Sequence, residues 1–378
     1  MSVLRRVIGA RLFFPLVCLV LVLLVNFVVS VFSSNVSPAT FFQISVVKGV
    51  FTGPLITILN RSSELVILAV GMTVVVSCSK GVDISVGAVM AFASAVAVWL
   101  VGFGTLPQNN YHVVNYVLPL GVGIVAGLAV GALCGAWNGF LVAKLRIQPM
   151  VATLILYGAA RGAARVMTFG QMLRVDPPNF RWFGNTITNA AGDSVFPVPT
   201  ATLIAAAVVI VVALVLRFTA LGMNVQAVGI NDKASRIVGL NSSRIILLAF
   251  VFCGVCAAIA GLISSSRLAT VDPTNNGRLL EMDAILAVAL GGNSLSGGKF
   301  SLAGSVIGAI TVQTLTTVLY SINVSADQLP LYKAIVVIVI VLLQSTELKP
   351  MLGKMSVTVR GWAGVVRSVR VAKEGAPA

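Results

Sequence analysis

Long apolar stretches separated by shorter polar connections run along almost the whole chain. Most are close to the roughly 20 residues that a helix needs to cross the hydrocarbon core of a bilayer. Ten can be marked, at 12–32, 64–79, 84–104, 117–143, 149–169, 201–217, 245–265, 282–292, 302–322 and 331–345. The pattern predicts an all-α polytopic membrane protein with about ten transmembrane helices.

Two of these stretches need comment. The first follows a basic N-terminus, as a secretory signal would, but it is too long for a signal core and no small-residue cleavage site follows it. It is predicted to be the first span. The run at 282–292 is short and ends at Gly291-Gly292, which suggests a broken or partly re-entrant helix.

Composition supports a membrane protein. The chain has 378 residues, of which 58% are hydrophobic and 10% charged, whereas soluble domains carry about 25% charged residues. The net charge of +15 could indicate a nucleic-acid partner. That partner is not expected, because the basic residues are spread between apolar runs and form no single patch.

The distribution of lysine and arginine predicts the orientation. With the N-terminus inside, seventeen basic residues fall on the inner side and seven on the outer side, as the positive-inside rule requires. Both termini are therefore predicted to be cytoplasmic. The chain then divides into a basic N-terminus at 1–11, a transmembrane domain at 12–345 and a basic tail at 346–378, which is expected to contact anionic membrane lipid.

Two connections are more than simple links. The predicted outer loop 170–200 is rich in Pro, Asn, Gly and aromatic residues, and its length suggests a function or a partner. The inner segment 218–244 places Val225, Val228, Ile237 and Leu240 at helical spacing between polar residues. This spacing favours a short amphipathic helix at the membrane surface over a solvated loop.

The cysteines and the single histidine do not indicate catalytic or metal chemistry. Cys253 and Cys256 have a spacing known from redox and zinc sites, but they lie inside an apolar run with no second Cys or His pair nearby. They are expected to be packing thiols. With His112 as the only histidine, a His-based triad or a His-ligated zinc site is not expected.

Two glycine-bounded polar breaks interrupt the apolar pattern, at 80–87 (KGVDISVG) and 291–298 (GGNSLSGG). Paired breaks in corresponding halves of a transporter indicate a substrate site, and a carboxylate such as Asp83 near apolar spans usually has a function or a partner. Cytoplasmic turns, with Asp83 capping a helix, explain them equally well. The candidate pathway residues are Asp83, Ser85, Asn138, Asn293, Ser294 and Ser296.

The second break resembles a phosphate-binding loop but lacks its pattern. A Walker A motif requires Gly where Asn293 stands and Ser or Thr where Phe300 stands. The chain is therefore predicted to have no ATPase site of its own. If ATP drives its function, a partner supplies the nucleotide site.

Arg161 and Arg165 lie four residues apart within the predicted fifth span. Arginine inside a span is costly unless it is paired or faces water. An inward-facing structural ion pair is favoured over contact with a substrate.

Several long motifs occur in order along the chain. They are LNR at 59–61, KGVDISVGAVMA, KLRIQPMVATLI, AVGINDKASRIVGLN and EMDAILAVALGGNSLSGGKFSLAGSVIGA. Together they resemble the ribose-type sugar permeases of bacterial ABC importers, from about residue 50 to residue 346. RIQPMVATLIL and FRWFGN resemble most closely the galactofuranose-type members.

The resemblance implies an importer in the bacterial inner membrane. It implies two permease chains, identical or different, two cytoplasmic ATPase domains that use ATP and Mg, and a periplasmic or otherwise extracytoplasmic sugar-binding protein. This chain would bind no cofactor. The outer loop 170–200 would receive the binding protein, and segment 224–240 would dock on the ATPase. The docking residues carried over by the resemblance are Ala227, Gly229, Asn231, Ala234, Arg236 and Gly239.

One position departs from the family pattern. Lys80 stands where the relatives usually carry Gly or Ser. A long cation there could alter the conformation of the break or pair with Asp83, which puts a substrate role for Asp83 in doubt.

The predicted function is passage of a monosaccharide of the galactofuranose, fructose or ribose type by alternating access, powered by a partner ATPase. An ion-coupled sugar carrier that works alone would need carboxylates deep in several spans, and the candidates are Asp83 and Asp283. A membrane enzyme would need an acidic or His cluster in a loop, which the sequence lacks.

Overall fold

The computed structural model describes residues 12–32, 43–47, 49–101, 118–174, 178–187 and 194–344 of the 378-residue chain. The predicted N-terminus 1–11, the tail 346–378, His112 and parts of the outer loop 170–200 lie outside these ranges. The chain divides into two compact units, Met1–Val318 and Leu319–Ala378. Each unit is described by itself.

The described part of the first unit is almost entirely helical. Its first helices are α1 (Phe13–Phe32), α2 (Pro54–Ser79), α3 (Val86–Val101), α4 (Leu120–Ala143) and α5 (Pro149–Met167). They are followed by α6 (Thr200–Phe218), the short α7 (Leu221–Ile230) and α8 (Asp232–Ile237), α9 (Ser242–Leu268), α10 (Leu280–Leu290) and most of α11 (Leu302–Ser321). The second unit contains the end of α11 and α12 (Leu329–Gln344).

Five helices of the described residues, α2, α4, α6, α9 and α11, are long enough and apolar enough to cross a membrane. Shorter apolar helices occur at Phe13–Val28 within α1, at α3 and at α7. The protein is thus a helical membrane protein. The count of ten spans and the cytoplasmic position of both termini stay predictions. At 11 residues, α10 is short for a span, as the sequence suggested for 282–292.

Helix α2 lies at the centre of the first unit. In its most apolar window 89% of the residues are buried, because α9, α6, α10 and α7 all pack on it. A helix that is apolar on all sides is stable only when it is surrounded. Its sequence has this character from Leu65 to Val76.

Helices α4 and α9 pack closely against each other. A Cβ atom on Gly131 would collide with the backbone oxygen of Gly254, and one on Gly135 would collide with that of Phe250. These glycines lie four residues apart on one face of α4. Small residues at this spacing let two backbones approach closely, which is the usual basis of helix association in membranes.

Two small antiparallel sheets complete the unit. Strands β1 (Ser45–Val47) and β2 (Val50–Thr52) form a hairpin in which Ser45 pairs with Thr52. Strands β3 (Leu173–Arg174) and β4 (Thr270–Val271) pair the loop after α5 with the end of α9. Leu173, Phe180 and Val271 are buried together against α3 and α5. The described part of the predicted outer loop is therefore packed on the bundle.

Candidate functional site

The first predicted break turns back into the helix bundle. Helix α2 ends at Ser79, and Lys80 follows with a left-handed backbone (φ 55°). The amide of Asp83 then donates a hydrogen bond to the Sδ atom of Met72, 3.3 Å away. Met72 lies seven residues before the end of α2, about 10 Å along a helix axis. Asp83 is consequently only 2% exposed.

Three of the predicted pathway residues meet at this break. The Oδ1 atom of Asp83 accepts hydrogen bonds from the amide of Ser85, at 2.9 Å, and from its hydroxyl, at 2.5 Å. The side-chain amide of Asn138 donates to the Ser85 hydroxyl at 2.9 Å. Asp83 thus has the local bonding of a turn residue before α3 and is also buried beside α4.

One buried atom of this group has no partner in the described part of the chain. The Oδ1 atom of Asn138 is buried and accepts no hydrogen bond from the described residues. A buried acceptor without a partner is costly. The chemistry of the group, a carboxylate, a hydroxyl and a free amide oxygen, suits the hydroxyl groups of a neutral polar ligand.

The second break is organised around Asn293. Its side-chain nitrogen donates to the Ser305 hydroxyl at 2.7 Å and to the backbone oxygen of Ser301 at 3.2 Å, and its oxygen accepts from the Ser301 amide. The Ser305 hydroxyl also lies 2.6 Å from the Thr73 hydroxyl of α2. These bonds tie the break to the bundle. Ser294 and Ser296 are exposed, and the Ser296 amide donates to the Ser294 hydroxyl.

The two breaks contact the same end of α2. Asp83 bonds to Met72, the network of Asn293 reaches Thr73 through Ser305, and the amide of Gly298 donates to the backbone oxygen of Ser77 at 2.9 Å. The two segments, more than two hundred residues apart in sequence, are therefore neighbours across the last two turns of α2. Within the described residues, no hydrogen bond joins Asn293, Ser294 or Ser296 to the bonded group of Asp83, Ser85 and Asn138.

Segment 224–240 forms two short helices and not one. Asn231 has an extended backbone (φ −151°, ψ 100°) that ends α7, and its side chain accepts from the Ala234 amide at 3.1 Å to cap α8. The apolar stripe expected across the segment is accordingly interrupted. Val225 and Val228 are buried, whereas Ile237 is 88% exposed. The prediction of a single short amphipathic helix within 218–244 is wrong, because the extended backbone and cap at Asn231 separate α7 from α8.

The remaining residues assigned to this segment lie mostly at its surface. Ala234, Arg236 and Gly239 are exposed, Ala227 is half-buried and Gly229 is buried. Arg236 forms an ion pair with Asp232 at 2.9 Å, one turn earlier in α8. Gly239 adopts a left-handed conformation (φ 91°) in the turn before α9. The segment therefore has a largely exposed part, α8, and a part, α7, in which Val225, Val228 and Gly229 are buried.

Helix α7 is anchored on both breaks. A Cβ atom on Gly229 would collide with the backbone oxygen of Ser77 and approach the Gly298 amide to 2.7 Å, so only glycine permits this contact. The Nζ atom of Lys80 donates to the backbone oxygen of Ile230, the last residue of α7, at 3.3 Å. Lys80 therefore connects the first break to α7 instead of pairing with Asp83, whose bonds go to Ser85.

The contacts of Arg161 differ from those expected of an arginine within a span. Its guanidinium donates to the backbone oxygens of Asn276, at 2.6 Å, and Pro273, at 3.2 Å, and lies 5.7 Å from the ring centre of Tyr157. No carboxylate of the described residues pairs with it, so the expected ion pair is replaced by hydrogen bonds to a backbone. Arg165 is exposed.

Asn276 extends this connection into the bundle. Its side-chain nitrogen donates to the hydroxyls of Ser94, at 2.9 Å, and Ser265, at 3.0 Å. Gly277, the next residue, packs directly against Gly87 of α3. Arg161 and Asn276 thus hold the connection between α9 and α10 deep against α3. Three buried atoms here have no hydrogen-bond partner among the described residues: Nη2 of Arg161, Oδ1 of Asn276 and Oε2 of Glu281.

The same connection contains a stabilised turn. Burial would raise the pKa of Asp272, but hydrogen bonds from the amides of Asn275 and Thr274 and from the Asn275 side chain outweigh it and hold the pKa below its usual value. Asp272 is therefore an ionised carboxylate that caps the turn leading to Asn276.

The described part of loop 170–200 is hydrogen-bonded to the C-terminal end of α9. Arg267 forms an ion pair with Glu64 of α2 at 2.9 Å and donates to the backbone oxygen of Asn60 at 2.6 Å. The amide of Gly184 donates to the Ser266 hydroxyl at 2.7 Å. Beside them lies an open cavity of about 370 Å³ with Thr57, Asn60, Asn185, Thr186 and Ser194 among its lining residues.

The cysteines of the described residues are free and buried. Cys253 and Cys256 pack against Gly71 of α2, whose missing side chain leaves room for them. In the described ranges no group of three or more His, Cys, Asp or Glu residues could hold a metal ion.

Known proteins identify the kind of molecule to which these features belong. A family described as "Branched-chain amino acid transport system / permease component" matches residues 55–344. The galactofuranose transporter permease protein YtfT of Escherichia coli K12 is 41% identical over 330 residues, covering 87% of this chain and 88% of the relative. No solved structure matches the chain.

Two further relatives are sugar permeases. The fructose import permease protein FruF of Bifidobacterium longum is 39% identical over 304 residues, covering 79% of this chain and 80% of the relative. The ribose import permease protein RbsC of Escherichia coli K12 is 36% identical over 297 residues, covering 78% and 86%. The resemblance noted in the sequence is confirmed, and the chain belongs to the sugar ABC permease family.

Proposed function

We propose that this chain is the membrane-spanning subunit of an ATP-driven monosaccharide importer of the bacterial inner membrane. Its partners are a cytoplasmic ATPase, an extracytoplasmic sugar-binding protein and a second permease chain, identical or related. The ATPase uses ATP and Mg. The sugar is of the galactofuranose, fructose or ribose type, the substrates named in the relatives.

One observation carries the mechanism. Helix α7 contacts both helix breaks at the end of α2. Its Gly229 packs on Ser77 of α2 and on the amide of Gly298 in the second break. Its last residue, Ile230, accepts a hydrogen bond from Lys80 of the first break. A displacement of α7 is therefore transmitted directly to both breaks, since packed elements respond as units. The exposed helix α8, which follows the cap at Asn231, provides the surface to which the ATPase binds.

Alternating access follows from this arrangement. ATP binding moves α7 and α8, the two breaks shift against α2, and the pathway changes the side to which it opens. Asp83, Ser85 and Asn138 offer a sugar hydrogen-bonding groups without requiring a charge on the sugar. In this mechanism Asn293 holds the second break in position through its bonds to Ser301 and Ser305.

Reconstitution in liposomes tests the proposal. The chain, its ATPase and second permease chain are incorporated, the sugar-binding protein is supplied outside, and uptake of labelled galactofuranose, fructose and ribose is measured. Uptake that requires both ATP and the ATPase is expected. Uptake by this chain alone, driven by a proton or sodium gradient, would instead identify an ion-coupled carrier and exclude the proposal.

A further inference from the structure

A lateral slot lies between α6 and α9. Both helices pack on α2 but make few contacts with each other, which leaves a gap of about 320 Å³ between them, closed at one end by α7. Every residue that lines the slot is apolar. The lining residues are Val74, Val211, Val212, Val215, Leu216, Leu221, Val225, Ile245, Leu248, Ala249 and Phe252.

The shape and chemistry of the slot suit a hydrocarbon chain. It extends from Ile245 to Phe252 along α9, about 10 Å of helix axis, and its outer edges are formed by partly exposed side chains such as Val215 and Leu248. Where this surface of α6 and α9 is in contact with acyl chains, the slot presents no polar side chain that would have to be satisfied by a hydrogen bond. Water in such a slot would be unfavourable.

Positive charge marks one end of the slot. Arg217 follows the lining residue Leu216, and Arg244 precedes the lining residue Ile245. Both arginines are exposed, and neither pairs with a carboxylate of the described residues. The guanidinium of Arg217 lies 5.9 Å from the Phe218 ring centre, while Arg244 lies in the first turn of α9, where the helix dipole adds positive potential.

We propose that this slot is a binding site for an anionic phospholipid. One acyl chain fills the space between α6 and α9, and the phosphate-bearing head group contacts Arg217 and Arg244. Arginine forms bidentate contacts with phosphate oxygens, and basic pockets between membrane helices are known to retain anionic head groups. The inference requires only that the chain lie in a membrane, and it does not depend on the transported substrate.

The position of the slot places a bound lipid directly against α7. Leu221 and Val225 of α7 line its closed end, and α7 also holds both helix breaks. An acyl chain in the slot therefore packs behind α7 and supports its position against α2. Loss of the lipid is expected to loosen α7 while leaving the contacts of α3, α4 and α5 unchanged.

Native mass spectrometry of the full-length chain tests the site. The protein is taken from vesicles that contain equal amounts of dioleoyl phosphatidylglycerol and dioleoyl phosphatidylcholine, two lipids with the same acyl chains. One retained phosphatidylglycerol per chain is expected. Because each basic residue near an anionic surface contributes roughly a fivefold factor, R217Q/R244Q should weaken its retention about twenty-five-fold.

Three further variants keep the test specific. K144Q/R146Q removes the same charge from exposed positions between α4 and α5 and should retain the lipid. V215W fills the slot without touching the arginines and should also lose the lipid, whereas L214W, on the neighbouring face of α6 and outside the slot, should not. If R217Q/R244Q unfolds, V215W and L214W decide the question alone.

Several results would overturn the proposal. These are equal retention of the two lipids, no retained lipid in the wild-type chain, or retention unchanged in V215W. A photo-crosslinker placed at Leu248, which lines the slot and is 56% exposed, distinguishes a bound lipid from a bound second permease chain. Attachment to phosphatidylglycerol is expected, and attachment to a second permease chain would show that the slot is a protein interface instead.

Discussion

The Nζ atom of Lys80 lies 3.3 Å from the backbone oxygen of Ile230, so a residue of the first helix break holds the C-terminal end of α7. The sequence left open whether this unusual lysine alters the conformation of the break or pairs with Asp83. Its partner is the backbone oxygen of Ile230, at the C-terminal end of α7. The helix dipole makes this end negative, which favours a cation there. Lys80 therefore stabilises the contact between α7 and the break without neutralising Asp83.

Replacement of Lys80 by Met is expected to weaken this contact. The hydrogen bond is exposed, so its loss is worth roughly 1 kcal/mol and ATP-dependent uptake should fall about fivefold. Binding of the ATPase and assembly should persist, because Gly229 still packs on Ser77. K144M is the matched control, since Lys144 is an exposed lysine at the end of α4. Unchanged uptake by K80M would show that the bond is incidental.

Replacement of Gly229 by Ala is expected to separate α7 from α2. The added Cβ would collide with the backbone oxygen of Ser77, and a backbone atom cannot move aside as a side chain can. Overpacking of this kind costs about 1–3 kcal/mol. Uptake should fall about tenfold or more if that cost falls on the transport cycle.

The matched control for this change is Gly158→Ala in α5, where nothing lies within 4 Å of the added atom. The measurements are uptake and ATP hydrolysis stimulated by the sugar-binding protein. Continued hydrolysis with little uptake indicates that α7 couples the ATPase to the pathway. Equal loss in G229A and G158A would point to general damage to the helices.

Ser85→Ala removes the hydroxyl that joins Asp83 to Asn138. The carboxylate keeps the amide of Ser85, but the side-chain amide of Asn138 loses the hydroxyl to which it donates. A buried polar group without a partner costs about 1–3 kcal/mol. The midpoint of thermal unfolding in detergent should therefore fall, and S296A, at an exposed serine of the second break, should leave it unchanged.

The same variant reports on the pathway. If a sugar hydroxyl approaches Asn138, added sugar should partly restore the stability of S85A, because the ligand supplies the missing partner. The midpoint is measured with and without the transported sugar. No difference between the two would argue against a sugar contact at Asn138 and leave the group a structural one.

Arg161→Met is expected to release the connection between α9 and α10. Two hydrogen bonds from a buried guanidinium to the backbone are lost. A hydrogen bond to a charged group contributes about 1.5–3 kcal/mol to stability. Thermal stability should fall markedly, and proteolysis between residues 269 and 279 should become faster. Arg165→Met, four residues along α5 and exposed, should change stability by about 0.5 kcal/mol or less. Equal effects of the two changes would contradict the assigned role of Arg161.

Most helices follow from the apolar pattern, because the bilayer and the buried bundle favour the same long runs. The four-residue spacing of glycines in α4 is likewise typical of a close helix contact. The partner is not predictable from that spacing, since the approach of Gly135 to the backbone of Phe250 depends on how α4 and α9 cross. The end of α7 at Asn231 is not predictable from the sequence either, because this capping asparagine lies inside a pattern with apparent helical spacing.

The site is predictable in part for similar reasons. Asp83, Ser85 and Asn138 are all candidates from the sequence, but only the return of the chain to Met72 brings them together. Asn276 is not identified, because nothing in a polar connection of VDPTNNG indicates that it enters the bundle. Arg161 was expected to find a carboxylate and finds carbonyl oxygens instead.

Composition, the order of motifs along the chain and local spacing are enough to establish a helical membrane protein of the sugar permease family with two polar breaks in its helices. Each of these properties can be read from neighbouring residues. Three relationships emerge only from the folded chain: both breaks contact one end of α2, α7 rests on them through Gly229 and Lys80, and α6 and α9 leave an apolar slot. They depend on distances between segments far apart in sequence, which packing fixes and local pattern does not.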